Sequence, residues 1–242
     1  MNDSDLATLW VYLSASPLLG LTVTLVAYSV AYRLYEIAGM RPLLHPVVVA
    51  VALLIAFLQL GDIGYVDYFE GAQFVHFLLG PATVALAVPL YQQLPKLRQL
   101  WLPVIVATLI GVSVGALSSV GLAYALGATL ETQLTLAPKS VTAPVAMGIS
   151  EQIGGLPSLT AVLVVVTGIL GAVIGGRLFT LLRVQDDSVR GVAMGITAHG
   201  IGTARAFQLS SEMAAFSGLA MALSALASAV LLPGLLAWLG LG

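Results

Sequence analysis

The chain has 242 residues, 59% hydrophobic and 8% charged, where an ordinary soluble domain carries about 25% charged residues; with a mean hydropathy of +1.03 it reads as an integral membrane protein. A net charge of −2 with no basic tail leaves no electrostatic footprint for nucleic acid, and that class of partner is set aside. Cysteine is absent, which excludes disulfides, thiolate catalysis and cysteine-based metal sites.

The opening MNDSDLATLW carries Asp3 and Asp5 and no Lys or Arg. It lacks the basic start of a secretory signal, so the first apolar segment is expected to be retained. A crossing of the hydrocarbon core takes about 20 apolar residues. On that measure about eight apolar segments follow, near 17–38, 42–60, 65–91, 99–126, 130–152, 157–182, 188–208 and 213–239. No outer-membrane-type alternation runs through them, so the fold class is an all-α membrane protein, expected as one integral membrane domain over 1–242.

In the third segment, FLLGPATVALAVP places Gly80 and Pro81 before Thr83. The pair either kinks the helix or starts a half-helix whose N-terminus faces an anion. TLIGVSVG (108–115) and GILGAVIG (168–175) stand sixty positions apart, and GPATVALA (80–87) aligns with GIGTARA (200–206). These matches suggest internal repeats of the secondary-transporter type, with repeat-like units near 17–126 and 130–242. The spacing of Gly111 with Gly115, and of Gly171 with Gly175, marks close helix packing that shapes a scaffold.

Lys and Arg bias puts Arg33 with Arg41, Lys96 with Arg98, and Arg177 with Arg183 and Arg190 on the cytoplasmic side. Counting crossings then returns segment five to the side it came from. Residues 130–152 are expected to form a re-entrant hairpin, two half-helices meeting around 137–142, with an ordinary span as the alternative.

The residues with chemistry sit at such interruptions. Pro138 and Pro144 bracket Lys139, Ser140 and Thr142, all donors to a carboxylate or to water, unless Lys139 lies idle in a solvated loop. Glu151 is a candidate proton-coupling group, its pKa raised by burial, or an interfacial residue. In HGIGTARA, Gly200 and Gly202 permit an unwound turn after His199, Thr203 can cap the following half-helix, and Arg205 offers a bidentate carboxylate clamp. Arg205 can instead pair with Glu151 as a structural ion pair. His45 and His76 are assigned nothing. No metal-ligand spacing and no nucleophile–base–orienter pattern is present, so neither a metal, a cofactor nor an enzyme is expected.

FLLGPATVALAVPLY, APKSVTAPVAMGISEQIGGLPSLTAVLVVVTGILGAVIG and HGIGTARA, in that order, resemble the LrgB/CidB family of bacterial membrane proteins, from about Pro17 onward. The YFEGAQF stretch is similar to the family pattern too. The resemblance implies one of two roles. Members are described as antiholin-like or holin-like regulators of murein hydrolase export and lysis, acting with a smaller LrgA/CidA-type partner. Other relatives look like carriers of small monocarboxylates: pyruvate in bacteria, glycolate and glycerate at the plant chloroplast envelope, where both parts are fused. This sequence matches only the larger part, so a separate smaller partner is expected.

Taken with the residues, the resemblance favours a carrier in the bacterial cytoplasmic (inner) membrane, expected as a homo-oligomer. In it Arg205 binds the carboxylate; Lys139, Ser140, Thr142, Thr203 and Thr83 donate to it; and Glu151 or His199 couples a proton. Cysteines at Leu126 and Leu156, introduced singly into this cysteine-free chain, should label with an impermeant reagent from the same side of the membrane if 130–152 turns back. Labelling from opposite sides removes the hairpin.

Overall fold

A computed structural model describes residues 17–40, 44–78, 81, 84–85 and 87–241. The described residues form helices and no strand, in two units, Met1–Ala85 and Leu86–Gly242. In the first unit, α1 (Pro17–Ile37), α2 (Pro46–Leu60) and α3 (Tyr65–Phe77) pack together. Gly20 lets α1 touch α3: a Cβ there would stand 2.2 Å from the Tyr68 carbonyl oxygen. Beside it, Thr24 Oγ1 lies 2.7 Å from the Tyr68 hydroxyl.

The second unit contains α4 (Ala87–Gln92), α5 (Leu94–Ala125), α6 (Leu130–Leu136), α7 (Ala143–Ile153), α8 (Pro157–Leu181), α9 (Asp187–Leu209) and α10 (Ser211–Trp238). Proline in the first turn starts α5, α7 and α8, where its missing N–H costs no helical bond. Among the described residues, four helices are long and apolar enough to cross a bilayer: α1 from Leu18, α5, α8 and α10. Their outward faces expose Ile110, Val114, Val162 and Val230, as lipid-facing surfaces do. Inside the second unit, Val112, Ala116, Ile149, Val164, Ile196 and Phe216 share one apolar core.

Segments five and seven are not simple spans. Segment five splits into α6 and α7, joined by the turn at 137–142. The chain leaves α5, runs back along it until Ser140 faces Gly115, and then reverses. At the neck of this hairpin Gly155 packs on Thr135, with a Cβ on Gly155 falling 2.9 Å from the Thr135 nitrogen, and Leu156 N–H donates to Thr135 Oγ1 at 2.9 Å. The two half-helices expected around 137–142 are therefore present, and the segment ends beside the place where it began.

Segment seven folds back on itself as well. Helix α9 is interrupted at His199 (φ 40°, ψ −132°). A Cβ on Gly202 would lie 3.0 Å from the Met194 carbonyl oxygen, a separation of eight residues that a continuous helix would spread over roughly 12 Å. Residues 187–198 (α9a) and 200–209 (α9b) are thus the arms of a second hairpin. Its two ends meet on one cation: Lys96 Nζ lies 3.3 Å from Asp186 Oδ2 and 2.6 Å from Glu212 Oε1. Because Lys96 begins α5 while the neck of the first hairpin lies toward the other end of that helix, the two hairpins enter from opposite ends.

Segments two and three also differ from long spans, since α2 has 15 residues and α3 has 13, with α4 a separate helix. Proline stands in the first turn of α2 and of α7, and α2 ends at Gly61.

Two glycines separate packing from conformation. A Cβ on Gly195 would fall 2.2 Å from the Ser217 carbonyl oxygen, whereas one on Gly200 meets open space at an ordinary φ. Gly195→Ala should cost about 1 to 3 kcal/mol by overpacking the α9a–α10 contact, and Gly200→Ala should be near neutral; thermal unfolding in detergent measures both. Asp186 offers a second test. Hydrogen bonds from the Ser188 hydroxyl, the Val189 N–H and Lys96 hold its carboxyl down to about 2, against a usual 3.8. A carboxyl depressed on folding contributes stability above its unfolded pKa and loses it as pH falls through the folded one. The destabilisation caused by Asp186→Ala should accordingly be full at neutral pH and shrink between pH 4 and pH 2.

Candidate functional site

The two breaks reach the same face of α5. Gly111 and Gly115 are one helical turn apart, roughly 6 Å. A Cβ on Gly111 would lie 2.9 Å from Ile196, in the last turn before the His199 break, and one on Gly115 would lie 3.9 Å from Ser140 Oγ, in the other break. Both contacts fall near the middle of the 32-residue helix. The paired glycines are the scaffold the sequence suggested, and each contacts a hairpin rather than a plain neighbouring span.

His199 makes the sharper break. Its dihedrals resemble the first central position of a type II′ turn, which glycine ordinarily fills, at a cost of order 1–3 kcal/mol for a side-chain-bearing residue. The ring is buried and its Nε2 stands 2.9 Å from the Val164 carbonyl oxygen. Gly168 leaves the space for it, since a Cβ there would come within 2.7 Å of the ring. Thr203 Oγ1 donates to the His199 carbonyl at 2.8 Å and lies 2.9 Å from Ser217 Oγ, closing the turn from inside. The sequence reading assigned the irregular backbone to Gly200 and Gly202. The structure corrects this: His199 carries the positive φ, Gly200 has open space, and Gly202 serves the close return of α9b.

At the other break Pro138 is fully buried, and Lys139 is half-buried with Nζ 3.3 Å from Ser140 Oγ. Thr142 is the N-cap residue of α7 but makes no capping bond with its side chain, and Pro144 occupies the first turn. The hydroxyl remains available to another partner. Among the described residues no carboxylate pairs with Lys139; the ion pairs present join Lys96 to Asp186 and Glu212, and Arg190 to Asp187.

Other candidates stand elsewhere. Thr203 lies within α9b with its hydroxyl engaged, so it does not cap the half-helix. Glu151 is exposed in the last turn of α7, not buried, and among the described residues no ion pair joins it to Arg205. Arg205 is half-buried on α9b, six residues past the break, and Nη1 donates to Gln208 Oε1 at 2.8 Å. Gly80 and Thr83 lie outside the described residues; Pro81 is exposed.

Three polar groups escaped the sequence reading. Ser217 completes the His199 turn. Thr160, fully buried at the start of α8, has its Oγ1 3.0 Å from Thr135 O and 2.8 Å from Ser150 Oγ, which no local motif announces because the partners are up to 25 residues away. Ser224 Oγ is buried without a partner among the described residues. It lies one turn beyond Met221, whose backbone nitrogen packs on Gly195, and therefore near the depth of the His199 break.

Comparison with known proteins gives the chain a family. Residues 24–238 match the model of the LrgB-like family. The uncharacterized protein YwbG of Bacillus subtilis (strain 168) is 35% identical over 222 residues, covering 92% of this chain and 98% of the relative. YxaC of the same organism is 33% identical over 217 residues, 90% of this chain and 94% of its own length. An antiholin-like protein LrgB of Bacillus cereus (strain B4264) is 28% identical over 225 residues, 93% and 98% of the two chains. No solved structure matches. The likeness spans both hairpins and the long helices between them: this multi-pass membrane protein belongs to the LrgB family.

Proposed function

We propose that the chain is a secondary carrier for a small monocarboxylate of the pyruvate, glycolate or glycerate class, bound between the two breaks. The observation that carries this reading is the meeting of two oppositely entering hairpins on one face of α5, about one turn apart near its middle. Both α7 and α9b begin at a break. Their unpaired N–H groups and positive dipole ends therefore face the meeting point, as half-helices do at anion sites in secondary transporters. Lys139 adds a full positive charge with no carboxylate partner among the described residues, and Ser140, Thr142 and Ser224 add hydroxyls.

In this reading Lys139 is the principal carboxylate contact. Arg205, roughly 9 Å of helix beyond His199, stands on the approach from the Lys96 end, and Thr203 holds the turn. His199 remains the candidate for proton coupling, ahead of the exposed Glu151. The sixty-residue offset between TLIGVSVG and GILGAVIG carries Lys139 onto His199, and α5 and α8 run in opposite directions. This supports an inverted repeat of units near 94–153 and 157–209, shorter than the units first drawn at 17–126 and 130–242. A bacterial cytoplasmic membrane, a smaller LrgA/CidA-type partner and a homo-oligomer belong to the same proposal.

A second reading rests on the relatives named antiholin-like: a regulator of murein hydrolase export and lysis, with no transport of its own. Uptake of labelled pyruvate and glycolate into proteoliposomes, with and without the smaller partner, separates the two. The carrier should show saturable uptake that Lys139→Ala reduces at least tenfold while the protein stays folded, as expected for a lost charge-assisted contact of about 1.5–3 kcal/mol, with Arg205→Ala raising the half-saturating concentration. Dye leakage insensitive to both substitutions, with no saturable uptake, selects the regulator.

A further inference from the structure

The necks of the two hairpins are built from different chemistry. At the α6–α7 neck, Thr135, Ser150 and Thr160 are each fully buried and bonded to one another or to backbone. Gly155 brings the chain so close that a Cβ would lie 2.6 Å from Ser150 Oγ. This is a neutral, dry network that dissolved salt does not reach. At the α9 neck the contacts are ionic and wet: Lys96, Asp186 and Glu212 keep 35%, 51% and 29% of their side-chain surface exposed. Such pairs weaken with salt.

The flank beside α9 is also unfilled. An apolar groove of about 390 Å³ runs along the seam between α5 and α9a, with Pro103, Ala107 and Gly111 on one wall and Val189, Ala193 and Thr197 on the other. A further cavity of about 370 Å³ touches the first hairpin at Gln133. On its far side α9a is fused to α10 by backbone-close contacts, a Cβ on Gly191 or Gly195 falling 2.5 or 2.2 Å from the Met213 and Ser217 carbonyl oxygens. Helices α9 and α10 therefore form one body, which meets α5 at Val112, Ile196 and Phe216 in the shared core and leaves the groove open along the rest of the α5–α9a seam. Lys96, on α5, holds Asp186 at the start of α9 and Glu212 at the start of α10.

We propose that the α5–α9 seam is the gate of this protein and that Lys96 is its latch: breaking the Lys96–Asp186–Glu212 clasp swings the α9–α10 body from α5 and opens the His199 break to water from the Lys96 end, while the α6–α7 hairpin stays shut. The inference rests on the carrier reading for its purpose, but the motion is measured without transport. The cysteine-free chain supplies the background. Full-length protein in vesicles carries one cysteine on the seam, Thr197→Cys, which is exposed to the groove, or Ile196→Cys, which faces Gly111; a control carries Val141→Cys in the other break. Labelling by a membrane-impermeant thiol reagent is followed from the Lys96 side.

Lys96→Met, which removes both ion pairs, should speed labelling of the seam by roughly threefold to tenfold, Glu212→Gln, which removes one, by about twofold to fivefold, and Lys96→Arg should keep the slow rate. Raising NaCl from about 0.1 to 1 M, which shortens the screening length from about 10 to 3 Å, should speed the parent seam and leave the Lys96→Met seam and the Val141→Cys control nearly unchanged. Equal acceleration at seam and control would mean general loosening and overturns the latch, as does a seam indifferent to both salt and Glu212→Gln. A latch that opens as expected in a protein without uptake would remove the carrier reading and leave the gate in place.

Discussion

A helix that stops partway across a bilayer leaves backbone donors and acceptors where no water can satisfy them, and each costs several kcal/mol unless protein supplies a partner. Among the described residues of the second unit, the segments of α6–α7 and α9 are interrupted by such a break. Everything else in the second unit answers the resulting demand. Long helices α5, α8 and α10 shield the interruptions from lipid, and glycines at 111, 115, 168, 171, 191 and 195 let the hairpins approach closely enough to be shielded. Prolines begin helices where their missing N–H does no harm, and hydroxyls close the remaining bonds: Thr203 on the His199 carbonyl, Thr135 on the Leu156 N–H, Ser210 on the N–H of Met213. The arrangement is stable only as an ensemble of these contacts.

This explains how far the sequence could be read. The membrane class, the all-helical fold and the family were legible because composition and motif order suffice for them. The first hairpin was legible as one of two alternatives, since Pro138 and Pro144 interrupt a continuous ladder and the Lys and Arg bias favours a return over a single crossing. The second was half visible. HGIGTARA announces irregular backbone, but a turn of that kind is normally read from glycine, and the strained residue is His199, held there by Val164, Gly168 and Ser217 from two other helices. Tertiary contacts overrode the local preference. Spacing left Glu151 open between a buried and an interfacial place, and the structure puts it on the exposed side of an 11-residue helix.

The two hairpins are similar in plan and unlike in detail. The sixty-residue offset sets Lys139 against His199 and a neutral neck against an ionic one. A duplicated fold with identical halves would have no reason to favour either end. Here the differences accumulate on the second half: the ionic clasp, the open groove and the tightly shared surface with α10 all attach to α9, so any motion has its least resistance there.

Charge matching narrows the cargo of the proposed site. With the His199 Nε2 committed to the Val164 carbonyl, Lys139 is the fixed charge at the breaks, while Arg205 is turned toward Gln208 along α9b. In the proposed carrier, an empty site would leave the Lys139 ammonium without a carboxylate partner among the described residues, and a single charge at bilayer depth costs about 2.5–3.5 kcal/mol on insertion scales. One carboxylate removes that cost; two would restore it with the opposite sign. In that reading a monoanion with a hydroxyl or keto oxygen also gives the half-buried hydroxyls of Ser140 and Thr142 a further partner. In the proposed carrier, a preference for a small, oxygenated monocarboxylate would rest on one lysine and the ends of two half-helices.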